Sequence, residues 1–393
     1  MDDRGSRMTM QAEKTGPRAI IVGAGIGGLA TAIALRNIGM TPIVYERAPE
    51  LREVGAGLAL WANALHALDH LGVAKAVQAL GVPPAQVTLR SLQGETLFSI
   101  PRAELERRAG GASMVVHRAE LLAALLAALP AGVVQLGVTC TGFTEDASGV
   151  TISLAGGHTI HADLLIGADG LHSIVRATLF GPQQPRYAGY TTWRAVVPFE
   201  RAAPGFAETW GHGAWFGNAP LSNGRVYWFA AQKLPEHAPE PAGGWKQALL
   251  SRFRGWPEPA EAIIAVTDEA ALLRHDVYDR PPLRRWSSGH VTLLGDAAHV
   301  MTPNIGQGAC LALEDAVVLA RCLHQARDIP SAFRRYETER IARTTPLVRQ
   351  ARLAGKIAQM SHPAACAVRD RVVKHVLSRV QARQIGRTMG YRA

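Results

Sequence analysis

The chain has 393 residues, 48% of them hydrophobic, which is enough to bury a large core and makes two domains the natural expectation. Its formal net charge of +10 suggests nucleic acid as a partner, but only six of the 42 basic residues are lysine, and the arginines are scattered without a basic run or interleaved aromatics. No apolar run reaches the length of a transmembrane helix, roughly 18 residues, and Met1-Asp2-Asp3-Arg4 does not open a signal peptide, so a cytoplasmic protein with a disordered tail over 1–16 is expected.

Ala19-Ile20-Ile21-Val22 is a continuous apolar run, as in a parallel strand buried on both faces. It leads into Gly23-x-Gly25-x-x-Gly28 and then a helical periodicity through Leu29, Ile33 and Ile38 that ends at Gly39. The first glycine permits a tight turn, the second lets backbone approach a pyrophosphate, and the third lets the helix pack closely on the strand. The next strand, Pro42 to Tyr45, ends at Glu46, 18 residues beyond Gly28, where an acid can accept hydrogen bonds from ribose hydroxyls. This unit predicts a dinucleotide site without separating NAD from FAD.

Farther on, Val87 to Ser91 and Glu95 to Ile100 alternate around Gln93-Gly94 and predict a hairpin. Asp163 to Gly170 is a short apolar strand ending in Asp169-Gly170. Residues 186–234 hold several aromatic-rich strands, and a helical segment follows Gly255-Trp256-Pro257. Val291 to Asp296 repeats the strand-then-acid design and runs through His299 and Pro303 into Gly306-Gln307-Gly308 and an apolar helix, Leu311 to Leu323. Either aspartate can cap a helix or bind the hydroxyls of a sugar chain, and the glycine-rich start can offer amides to a ring oxygen. Ala332 to Gln359 reads as a long helix. In 366–393, seven basic residues stand against Asp370, and Val372, Val373, Val376, Leu377 and Val380 make one apolar face. That face is expected to pack on the larger domain, with contact to a membrane surface as the alternative. Cys140, Cys310, Cys322 and Cys366 lack metal-ligand spacing and read as buried fillers, and no metal is expected.

In the order and content of these motifs the chain resembles the class A flavoprotein monooxygenases, the para-hydroxybenzoate and salicylate hydroxylase-like group, from about residue 17 to about residue 375. The resemblance implies an α/β fold: a Rossmann-like FAD-binding domain of the GR2 type with an inserted antiparallel sheet and C-terminal helices. The discontinuous FAD-binding domain would comprise 17–75, 101–180 and 283–345. The substrate sheet would comprise 76–100 and 181–282, and the C-terminal helices 346–393. Carried over residue by residue, Gly23, Gly25 and Gly28 would cradle the pyrophosphate of FAD, Glu46 would hold the adenosine ribose, and Arg47 beside it would also contact the cofactor. Val54 to Gly57, including Ala56 and Gly57, matches the flavin-side strand, with Asn63 in the turn after it. Arg118 matches an arginine near the pyrophosphate and ribityl, Asp169 a motif shared by FAD and the reductant, and Asp296 the ribityl-binding acid. Pro303 to Gly308, with Gly306, Gln307 and Gly308, would lie beside the ring.

The implied reaction is hydroxylation of an aromatic or polycyclic small molecule with NADH or NADPH and dioxygen, through a flavin C4a-hydroperoxide. No second glycine cradle exists, which fits a nicotinamide that visits transiently. Epoxidation or ring oxidation on the same fold, or a non-catalytic flavin or NAD sensor, are the alternatives, and the protein would be a monomer or homodimer. Some relatives place a histidine or arginine five residues before a proline in the substrate sheet, and here Trp215 precedes Pro220 at that spacing. Trp215 can stack on an aromatic substrate or simply pack in the core. His212 reads as a base or as a loop residue, Arg194 as a flavin or substrate contact, and His299 as structural.

Overall fold

Ala19, Ile20 and Ile21 are fully buried, as a strand covered on both faces requires, and they run through the middle of a six-stranded sheet. The computed structural model describes residues 16–51, 55–200, 205–377 and 385–393. Residues 1–15 of the expected tail over 1–16, Val54 of the flavin-side strand, and Val380 of the C-terminal face therefore lie outside the described residues. The sheet order is Ser287–Ser288, Val291–Leu293, Leu164–Gly167, Arg18–Val22, Thr41–Glu46, Val134–Leu136. All of its pairings are parallel except the short hairpin at the 287–288 edge. The cradle helix, Ile26–Asn37, packs against the helix Gly308–Gln325. A Cβ on Gly27 would come within 2.6 Å of Leu294 and 3.3 Å of Ala312, so the missing side chain sets this close approach. Leu29, Leu313 and Leu319 are wholly buried in the same cluster, each worth about 1.5–3 kcal/mol of burial.

A second, seven-stranded sheet has the order Leu273–Asp279, Arg186–Pro198, Arg225–Gln232, Ala214–Pro220, Phe206–Trp210, Gln86–Ser91, Thr96–Pro101. It is antiparallel but for one pair: Phe206–Trp210 lies parallel to Gln86–Ser91, because the 86–101 hairpin joins from an earlier part of the chain. One face is covered by the helices Gly244–Arg252 and Ala260–Val266, and Trp193, Phe216 and Trp228 pack there against Phe253 and Ile263. On the other face Tyr190, Trp215 and Val277 pack with Ala358 of the helix Ile329–Ala358, and the rest is open to a cavity.

Two features escaped the sequence reading. A three-stranded antiparallel sheet, Cys140–Asp146, Gly149–Leu154 and Thr159–Ala162, lies within 101–180. Its sequence is mostly polar, and only a few side chains such as Val150 and Ile152 are buried. The C-terminal region also differs from the expected packed amphipathic face. Along Pro363–Val372 and its continuation to Leu377, Val373 is buried, but Val368, Val372 and Val376 are 64%, 43% and 53% exposed. The backbone departs from α-helix over Val373–Leu377, so the spacing used to align those valines does not persist. All four cysteines are buried and free.

Candidate functional site

Strand register brings together motifs that lie far apart in sequence. Val22 pairs with Gly167, Gly167 with Leu293, and Val22 also with Tyr45. The turns that follow, carrying Gly23, Asp169, Asp296 and Glu46, therefore stand side by side along one edge. This is the carboxyl edge of the parallel strands, where open α/β sheets bind their ligands.

The three cradle glycines meet different surroundings. Gly23 has φ +105°, and a Cβ there would sit 2.5 Å from the Ala168 carbonyl oxygen; on Gly28 it would sit 1.9 Å from the Gly23 oxygen. Any side chain at Gly28 would push the helix off the strand. Around Gly25 nothing lies within 4 Å, and the same is true at Gly308. Both helices that start here, Ile26–Asn37 and Gly308–Gln325, have no side-chain cap and no acid in the first turn. Asp328 and Ser173, by contrast, cap the helices that follow them. Bare amides beside open space suit an anion or a ring oxygen.

The acids at the edge are held in place and keep acceptor capacity. Glu46 accepts from the Ala24 and Ala48 amides at 2.9 and 3.0 Å. At the start of the Ser173-capped helix Ile174–Phe180, Asp169 Oδ2 also accepts from the Ile174 and Val175 amides at 2.7 and 3.2 Å. Its Oδ1 is buried without a partner, as is Nε2 of Gln307. Orphaned acceptors and donors next to uncapped helix starts fit an extended ligand bearing phosphates and hydroxyls, which FAD is. Burial raises the Asp169 carboxyl, opposed by Ser173 and the helix amides. Asp296 is exposed, yet desolvation by the surrounding protein raises its carboxyl, with His299 and Arg118 opposing and Asp315 adding. Arg118 is lowered by desolvation, a shift that Asp296 opposes and Arg194 reinforces. Arg118, Asp296 and Arg194 thus share one electrostatic neighbourhood.

A buried charge cluster ties this edge to the long helix Ile329–Ala358. Arg340 donates to Asp315 at 2.6 Å and lies 2.7 Å from Glu314, with all three side chains fully buried. Asp315 accepts from the Gly295 amide at 3.0 Å, and His299 Nε2 lies 2.6 Å from it. Asn63 bridges Glu314 and Gln307 at 2.6 and 2.9 Å. Burial alone would raise Asp315, but His299 and Arg340 outweigh it and hold the carboxyl at about 2. The sequence reading missed this cluster, since Glu314 and Asp315 fall inside the run read as an apolar helix. Two adjacent acids in such a run, with Arg340 and Arg343 three residues apart on the next helix, were the available signal.

Between the open face of the second sheet and the loop Pro303–Gly306 lies a cavity of about 360 Å³. The strand period of two decides what faces it: Tyr190, Thr192 and Arg194 point in, while Trp193 and Ala195 point to the helices. Tyr227 and Phe229 alternate in the same way with Trp228 and Ala230. Gly57 meets this wall closely enough that a Cβ would lie 2.2 Å from the Tyr227 ring. Tyr190 donates to Asn304 at 2.8 Å and Trp61 to the Gly306 carbonyl at 3.0 Å, fixing the loop against both sides. Ile385, Thr388 and Met389 complete the lining, and Arg343 secures their segment by donating to the Arg387 and Thr388 carbonyls.

Of the residues singled out from sequence, Arg194, Trp215, Pro303, Gly306 and Gly57 line this cavity. Trp215 is 3% exposed with its ring 4.8 Å from Tyr190, so it packs in the core and also faces the cavity. His212 is not among the lining residues; it sits in the turn between Phe206–Trp210 and Ala214–Pro220, its carbonyl accepting from Arg252. His299 is buried against Asp315 and Trp286. Arg47 is exposed and makes no hydrogen bond or ion pair among the described residues. Ala56 is buried, and its carbonyl accepts from the Arg118 amide at 3.0 Å. Glu208, which lines the cavity, was not anticipated; Tyr227 lines it from one of the aromatic-rich strands expected within 186–234. Glu208 could have been noticed as an acid flanked at two-residue spacing by Phe206 and Trp210.

Comparison with known proteins agrees with this geometry. Residues 18–232 and 274–351 match the family described as FAD binding domain. The aurachin C monooxygenase/isomerase of Stigmatella aurantiaca is 40% identical over 373 residues, covering 94% of this chain and 97% of that protein. The FAD-dependent urate hydroxylase of Klebsiella pneumoniae is 39% identical over 342 residues, 85% of this chain and 88% of its own. The crystal structure of Klebsiella pneumoniae HpxO with FAD and uric acid superposes with a TM-score of 0.89 at 34% identity, over 95% of this chain and 96% of that one. Among the described residues no helix is long and apolar enough to cross a membrane. The chain belongs to the FAD binding domain family and is an FAD-dependent monooxygenase.

Proposed function

We propose that the chain hydroxylates an apolar aromatic or polycyclic small molecule, using NADH or NADPH and dioxygen. The observation that carries this reading is the cavity itself. Its wall is mostly aromatic and aliphatic, and it abuts the Pro303–Gly306 loop beside an uncapped helix start. Its volume falls within the range for small-molecule sites, roughly 300–1,000 Å³. The relatives named FAD-dependent urate hydroxylase act, by name, on urate, a small ring compound.

On this reading the parts 17–75, 101–180 and 283–345 hold the cofactor, 76–100 and 181–282 supply the substrate wall, and 346–393 closes the far side. The Ile26 end of the cradle helix would take the pyrophosphate, Glu46 the adenosine ribose, and Asp296 the ribityl chain. Bound FAD supplies the redox chemistry, accepting hydride and activating dioxygen. The protein's own work is positional and electrostatic. Amides at Gly306 to Gly308 would stabilise negative charge on the ring, Trp215 and Phe229 would orient an aromatic face, and a substrate seated against this apolar wall would displace water.

The test is a screen of aromatic, quinone and polyketide-like compounds for stimulated NAD(P)H oxidation coupled to product mass gain. A yellow protein whose NAD(P)H oxidation rises with an apolar aromatic, with one oxygen added to that compound, supports the reading. Oxidation that no aromatic stimulates overturns it.

A further inference from the structure

Among the described residues, the cavity wall holds one acid and one base, Glu208 and Arg194. On the strand Phe206–Trp210, the residues Phe206, Glu208 and Trp210 face the cavity while Ala207 and Thr209 are buried on the other side. Trp210 Nε1 donates to Glu208 Oε1 at 2.5 Å, and no other described group hydrogen-bonds this carboxyl. Tyr190 and Tyr227, on the strands Arg186–Pro198 and Arg225–Gln232, both feel its charge. Arg194 stands on the first of these strands, and its charge acts on both tyrosines too. The neighbouring strands present Leu89 and Trp215, the loop presents Asn304, and the C-terminal segment Thr388, all uncharged. No arginine, lysine or histidine pairs with Glu208 among the described residues. An acid enclosed without a counter-charge weakens a fold, so its place in a ligand cavity calls for a role with the ligand.

We propose that Glu208 is the proton acceptor for the substrate, its unpaired oxygen taking a hydrogen bond from a ring O–H or N–H and then the proton itself. In that step the heteroatom–hydrogen bond breaks, a carboxylic acid O–H forms, and the electron pair stays on the heteroatom. The pair delocalises to the ring carbons ortho and para to it, the positions that an electrophilic oxygen donor attacks. This inference rests on the aromatic reading of the cavity and narrows the occupant to aromatics with an ionisable ring donor. Desolvation pushes the Glu208 carboxyl up to about 7, with the Trp210 hydrogen bond opposing. The basic form is therefore available at neutral pH and above, where a general base is most effective.

The test uses FAD-loaded protein and four probes: 1-naphthol, 4-hydroxyquinoline and their O-methyl ethers. Binding is followed by quenching of tryptophan fluorescence across neutral pH, for wild type, Glu208→Gln and Glu208→Asp. In wild type the hydroxy compounds are expected to bind roughly tenfold tighter than the ethers above neutral pH, with the preference fading below about 7. Glu208→Gln is expected to lose both the preference and its pH dependence while binding the ethers as wild type does. Glu208→Asp, which keeps the acid on a shorter arm, is expected to retain a weakened preference with a displaced midpoint. If the hydroxy compounds keep their wild-type preference and pH profile in both variants, the role of Glu208 is overturned while the aromatic pocket stands. If no aromatic quenches wild type, the pocket reading falls and this inference with it.

Discussion

Asp315 and Glu208 are both carboxyl groups enclosed by protein, yet the first is held at about 2 and the second pushed to about 7. Asp315 has Arg340 and His299 each at 2.6 Å, whereas Glu208 has a single indole donor. Burial raises both; at Asp315 the charges of His299 and Arg340, with hydrogen bonds from His299 and the Gly295 amide, outweigh it, while Glu208 has only the Trp210 hydrogen bond to oppose it. The paired region fixes the Gly295 turn and, through Asn63, Gln307, so it serves geometry. The unpaired region keeps an acceptor in a cavity, so it serves a ligand.

Removing one partner from the paired region should have the largest effect. Arg340→Leu leaves Glu314 and Asp315 buried without their guanidinium, and a loss of about 3–5 kcal/mol is expected in thermal or urea unfolding, with loss of bound FAD. A loss below about 1 kcal/mol would mean that the cluster does not set the local structure. Next comes Asp296→Ala at the groove. FAD affinity is expected to fall roughly tenfold to a hundredfold, the range for hydrogen bonds to a charged acceptor, with little change in the melting of the apoprotein.

The two acids should also give stability opposite dependences on pH. Glu208, raised from its ordinary 4.5 to about 7, binds more protons folded than unfolded between those values, so stability falls as pH rises through that window. Asp315, lowered from 3.8 to about 2, contributes stability above 3.8 that is lost as pH falls toward 2. Glu208→Gln should therefore be more stable than wild type at pH 8, by on the order of 1–2 kcal/mol after allowance for cavity water, and equal to it near pH 4. Asp315→Asn should instead cost most above pH 4. Matching pH profiles for the two variants would erase the comparison. The smallest effect on ligand binding is expected at Trp215→Ala: about five- to tenfold weaker binding of aromatic probes, the scale of an aromatic pair, with FAD content unchanged.

The strand-end turns proposed to hold FAD were far more legible in sequence than the wall proposed to hold the substrate. Gly23, Gly28 and Glu46 are constrained by backbone approach and by strand ends, so residue type at fixed spacing carries the information. Asp169 and Asp296 could be named because each ends an apolar strand, though only the register Val22, Gly167, Leu293 shows that they share an edge. The substrate wall depends on which side chains of each strand face inward and on how seven strands from three stretches of chain are ordered. No local pattern encodes that order, so Glu208 passed unnoticed. The charge cluster failed for a related reason: Asp315 and Arg340 lie on different helices, and each looks like a surface residue until the helices pack.

The most direct test of the account is a crystal structure of this chain with FAD bound. The expected result places the pyrophosphate on the amides at Gly25 and Ile26, Asp296 within hydrogen-bond reach of the ribityl hydroxyls, and the ring between Pro303–Gly306 and the cavity that Glu208 and Trp215 line. FAD bound with its ring away from that cavity, or with Asp296 out of reach of the ribityl chain, would contradict it.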